Sequence, residues 1–158
     1  MRALVLILAV STAVCAAQTP AVCPWFSTGS AETVLGGHVT LSAHVEGVRQ
    51  GSCRFARASE SGVKIISIVI GKEDTHPCPH GSARLVALGN EAEQCKSQDA
   101  QRQRSDVIAG RMRDAYFVVG IGNVPDATTI PPAPARPSDP FSASILERIT
   151  EQVVGNLY

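Results

Sequence analysis

The chain is poor in aromatic residues and has no excess of either charge. Only 4% of its residues are aromatic, and there is a single Trp, Trp25, which reads as a core residue rather than a surface for ligand stacking. Lys and Arg number 14 and Asp and Glu 14, so there is no electrostatic case for nucleic acid or for an anionic membrane surface as partner. No Gly-x-Ser-x-Gly elbow, phosphate-binding loop or His-Glu-x-x-His run occurs, which removes the common local signatures of hydrolases, nucleotide binders and zinc peptidases. No residue is therefore nominated as catalytic and no cofactor is implied. The longest apolar run, residues 3–14, is too short to span a bilayer, so no membrane span is expected. There is no internal repeat.

That first run has a different use. Arg2 gives a short positive start, the run follows with only Ser11 and Thr12 as polar interruptions, and Ala16-Ala17 offers small residues for cleavage before Gln18-Thr19-Pro20. This is the pattern of a secretory signal peptide covering residues 1–17, which places the remainder in the periplasm or outside the cell. Cys15 raises the alternative of a bacterial lipoprotein. Val14 and Thr12 match the lipidation pattern poorly, however, and simple cleavage is the preferred reading. Loss of the leader removes Arg2 and Cys15. The four cysteines left, Cys23, Cys53, Cys78 and Cys95, are an even set, and in an exported chain such a set points to disulfides.

Residues 18–158 are one domain's worth of chain. Ser27 or Thr28 can cap a short helix, Glu32 lies near its positive end, and Gly36 can end it in the left-handed conformation. Residues 38–46 alternate, with Val39, Leu41, Ala43 and Val45 on one face and His38, Thr40, Ser42, His44 and Glu46 on the other, as in a half-buried antiparallel strand. Residues 52–57 and the strongly apolar 63–70 continue a meander. Residues 82–88 suggest a turn or two of helix, and the polar stretch 91–104 a frayed strand or loop. Residues 106–122 read as two strands meeting at Arg113-Asp114, the second apolar on both faces and so expected inside the sheet. Residues 123–140 hold six prolines and read as an extended, exposed connection. Finally, Phe141, Ile145, Ile149 and Val153 recur every fourth residue, marking an amphipathic helix that Ser138 or Asp139 caps. The fold class is α+β: an antiparallel sheet of about five or six strands with a short N-terminal and an amphipathic C-terminal helix packed on it.

One local cluster has the residue types of a metal site. His76, Cys78 and His80 bring two imidazoles and a thiol within five residues, with Cys95 as a possible fourth ligand. Oxidation of Cys78 would remove the thiolate, and Cys95 is its natural mate, so no metal is the preferred reading. His38 and His44, six residues apart on one strand face, would be about 20 Å apart, too far to share one ion or one substrate atom.

The order of features resembles a family of small exported domains and lipoproteins of unknown function, best known from actinobacteria. Cys23 precedes a short helix ending in Leu35-Gly36-Gly37, Cys53 lies in an early strand, and Leu88-Gly89-Asn90-Glu91-Ala92 precedes the late strands and the terminal helix. The chain departs from the family in its lipidation pattern, in its added Cys78 and Cys95, and in its Pro-rich insert. Of the three pairings that four cysteines allow, Cys23–Cys53 and Cys78–Cys95 are chosen. The first would tie the approach to the helix onto the second strand, as the resemblance also implies, and the second would close the polar loop. The functional expectation is a non-enzymatic exported or cell-envelope domain that binds a protein or small-molecule partner. The alternatives are an exported hydrolase whose site assembles only in the fold, and a His/Cys metal-binding protein.

Overall fold

The computed structural model describes residues 21–60, 62–73, 77–78, 83–85, 88, 91–98, 104–124 and 140–158. The leader expected at residues 1–17, the imidazoles His76 and His80, and most of the Pro-rich stretch lie outside the described residues. The elements in chain order are α1 Thr28–Leu35, β1 Thr40–Gly47, β2 Gln50–Ser59, β3 Gly62–Gly71, β4 Ala83–Leu85, β5 Ala92–Gln98, β6 Arg104–Met112, β7 Ala115–Val124 and α2 Pro140–Gly155.

Among the described residues the strands form one antiparallel sheet of seven, in the order β1-β2-β3-β7-β6-β5-β4. Two meanders, β1–β3 and β4–β7, are thus joined along β3 and β7. Those two strands are the most apolar in the chain and are the ones that tolerate burial between neighbours. Their ladder sets Ile66 opposite Ile121, Ile68 opposite Val119 and Ile70 opposite Phe117. In register with them lie Phe55 and Cys53 of β2 and Ile108 of β6. This face carries both helices, and together they bury Trp25, Phe26, Ala31, Leu35, Leu146, Ile149, Val153 and Val154 in one core.

The opposite face is only partly covered. Val107 and Ala109 are buried there, whereas Arg54 and Val69 are exposed. On β7 the helix-side residues Phe117 and Val119 are buried, while Tyr116 and Val118 on the other side are half-buried.

The sheet has seven strands against the about five or six expected, and of the strand and loop readings of 91–104 the strand is the one found. Residues 83–85 form β4 rather than part of a helix, and 92–98 form β5. Each is held by ladder pairing to its neighbour, which overrides a weak local preference.

The ends of the elements follow their chemistry. Ser27 caps α1 by accepting from the Ser30 N–H, and Gly36, at φ 82°, ends it by donating to the Glu32 carbonyl. Arg57 donates to the Leu35 carbonyl at that same end, where a cation suits the helix's negative terminus. Arg113 takes a left-handed φ of 55° in the two-residue turn between Met112 and Ala115, a conformation that only a minority of non-Gly residues adopt. Cys23 is bonded to Cys53 and Cys78 to Cys95. Among the described residues no helix is long and apolar enough to cross a membrane.

Candidate functional site

The helices α1 and α2 lie side by side on the sheet without closing completely over it. The groove between them has a volume of ≈ 440 Å³, within the range of small-molecule sites, which run from about 300 to 1,000 Å³. Its position follows from the two helix patterns. α1 turns Ala31 and Leu35 into the sheet and leaves Ser30, Thr33 and Val34 along its flank. α2 buries Leu146, Ile149 and Val153 and presents Ser144, Ile145, Arg148 and Gln152 to α1. Phe26, just before the α1 cap, lies between them and meets the Phe55 ring edge-on, with ring centres 5.7 Å apart.

Two kinds of wall result. Phe26, Val34, Ile145 and Ile149 supply apolar surface. Ser30, Thr33, Ser144, Gln152 and Arg148 supply hydroxyls, an amide and one guanidinium. Gln152 Nε2 donates to Ser30 Oγ at 3.3 Å and so bridges the helices. Thr33 Oγ1 is occupied by the Gly29 carbonyl at 3.0 Å. Arg148 is exposed and is the sole charged residue among the described lining residues. The apolar walls and the guanidinium suit an apolar group and an anion, and among the described lining residues there is no carboxylate, imidazole or thiol to act as a general base.

The residues that the sequence singles out are not brought together here. His38 Nδ1 lies 2.9 Å from Glu32 Oε1, with the His38 side chain 93% exposed. His44 Nε2 lies 3.3 Å from Glu46 Oε1, and its side chain is 79% exposed. Each histidine has a carboxylate neighbour, but at the open surface rather than in a pocket. Cys78 is bonded to Cys95 and cannot act as a thiolate ligand. Among the described residues no three His, Cys, Asp or Glu side chains are grouped as a metal site. An open depression lined by Arg57, Ala58, Ser59, Glu60 and Lys64 lies at the β2–β3 turn and lacks apolar depth.

The sequence gives no cue to the groove as such. Val34 and Ile145 are legible as apolar anchors and Arg148 as a solvated helix residue. What singles them out is their place on the flanks of the two apolar stripes, where neighbouring helices leave a gap.

Compared with protein-family models, with curated proteins and with solved structures, the chain matches none.

Proposed function

We propose that this is a non-enzymatic exported or cell-envelope binding domain of the small actinobacterial type whose order of features it resembles. Its ligand is a small amphiphile, with an apolar body held against Phe26, Val34, Ile145 and Ile149 and an anionic group facing Arg148. The carrying observation is the groove itself: a cleft of ≈ 440 Å³ whose described walls combine apolar side chains with a single guanidinium and no acid. Charge complementarity selects an anion, and the apolar walls favour a ligand that carries more than an anion alone. The two disulfides fit an oxidising compartment, as export requires.

Anilinonaphthalene sulfonate, an apolar ring system with one anionic group, serves as the probe. The folded, oxidised protein should raise its fluorescence saturably. Arg148→Ala should weaken that binding roughly tenfold, the loss of one charge-assisted contact of about 1.5 kcal/mol. Val34→Trp, which fills the groove, should abolish it. Absence of saturable binding, or binding indifferent to both substitutions, would overturn the reading.

A further inference from the structure

The α2 wall of the groove carries its groups in two rows. Ser144, Arg148 and Gln152 follow one another at four-residue spacing, and all three are exposed. Residues so spaced share one stripe of a helix, so they form a single polar rim. Ile145, half-buried, and Ile149, buried, make the neighbouring stripe and form the floor with Phe26. The charge therefore does not lie at an end of the groove. Arg148 stands roughly 6 Å of helical rise from Ser144 on one side and from Gln152 on the other. Gln152 also reaches across to Ser30, which straps the groove at the end nearest the start of α1. On the facing helix Val34 adds apolar surface, and Thr33 bonds its hydroxyl to the Gly29 carbonyl. Among the described lining residues α1 contributes no charge.

We propose that the groove selects ligands whose anionic group is borne on the flank of a compact apolar body, as in a polycyclic or branched acid, over head-and-tail amphiphiles with the charge at one tip. This rests on the amphiphile reading above and narrows its ligand class. A ligand that sets its anion against Arg148 has floor to cover in both directions along α2, toward Ile145 on one side and toward Ile149 and Phe26 on the other. A chain charged at its tip can follow only one of those directions. It has roughly 6 Å of rim to run along before the rest of its tail is left in water. A body charged on its flank covers the floor on both sides of Arg148. Its anion meanwhile stays at the exposed rim, where the oxygens not held by the guanidinium keep their water.

Two isomers of decane sulfonate test this, one with the sulfonate on the terminal carbon and one with it on a central carbon. They have the same atoms and charge and differ only in where the anion is attached. Each is titrated, below its micelle concentration, against anilinonaphthalene sulfonate bound to the folded, oxidised protein. The centrally charged isomer should displace the probe at a roughly tenfold lower concentration, the equivalent of two methylenes kept from water. The double variant Ser144→Arg, Arg148→Gln moves the cation one turn along the rim, at two exposed positions, and a thermal melt checks its fold. With the charge toward one end of the groove, the preference should shrink or reverse. Equal displacement by the two isomers, or a preference for the terminally charged one, would overturn the proposal. So would a preference that the double variant leaves unchanged. A probe that never binds saturably defeats the amphiphile reading and this inference together, whereas a bound probe that the isomers displace equally defeats this inference alone.

Discussion

The indole nitrogen of Trp25 donates to the carbonyl oxygen of Val48 at 2.6 Å, which pins the segment before α1 to the β1–β2 turn. Trp25 is fully buried, and its ring packs over Gly51, which lacks room for a side chain. A Cβ there would lie 3.1 Å from the indole, 2.8 Å from the Val45 Cα and still closer to the His44 carbonyl. Trp25→Ala should cost about 3–5 kcal/mol in a denaturant melt, as large buried aromatics do. Trp25→Phe should cost less, since the Val48 carbonyl lies in an exposed turn where water can replace the indole. Gly51→Ala should also destabilise, because φ there is 146° and the site is closed.

Helix α2 is docked by Leu146, Ile149 and Val153, all almost fully buried. Ile149→Ala should therefore cost about 2–5 kcal/mol, and Glu151→Ala, at an exposed position, almost nothing. Equal, negligible losses would mean that the helix does not seat on β6 and β7.

Each disulfide closes a substantial loop, spanning 30 residues for Cys23–Cys53 and 17 for Cys78–Cys95. Removing either should lower stability by about 3–4 kcal/mol through the freed unfolded chain. The Cys23–Cys53 loss should be the larger, because both of its cysteines are buried in the core. Chemical melts of Cys→Ala pairs compared with the oxidised protein measure both.

Asp114 titrates below its ordinary value of 3.8, chiefly through a hydrogen bond to its own backbone N–H, with Arg49 adding attraction against partial desolvation. Arg49 Nη1 lies 2.7 Å and 2.9 Å from the two carboxylate oxygens, so the β1–β2 turn is tied to the β6–β7 turn. A depressed acid stabilises the fold above its unfolded value, and that stabilisation is lost as pH falls through the lower, folded value. Stability of the parent protein should thus decline with acidification over this window more steeply than that of Asp114→Asn. Parallel slopes would rule out a contribution from the pair.

What was legible in the sequence was local. The cap at Ser27, the left-handed Gly36, the alternation of β1 and the i+4 stripe of α2 each depend on residues within a turn or two of one another, and each occurs in the structure. Arg113-Asp114 also turns the chain, although its composition argues weakly for a hairpin. β4 was not legible and β5 only as one of two readings, strand or loop, because neither has an apolar alternation of its own and each is fixed by pairing with the strand that follows it. Thr150 is a similar case: it lies within the buried face of α2, fully enclosed, and satisfies its hydroxyl on the Leu146 carbonyl at 2.8 Å. The groove was out of reach for the same reason, since a gap between two helices is a property of their spacing.

The ladder between β3 and β7, and the hydrogen bond from Asn156 Nδ2 to the Trp25 carbonyl at 3.0 Å, join parts of the chain that are made at different times. The first meander and the Cys23–Cys53 bond need only residues up to Gly71. A chain delivered amino end first can therefore cross-link and fold its first half early. Until β7 arrives, however, that half shows the unpaired edge of its most apolar strand. The molecule is sealed only when its last residues reach back across 131 positions to Trp25. Long-range closure of this kind slows folding, so a nascent domain spends its waiting time with β3 as its most adhesive surface.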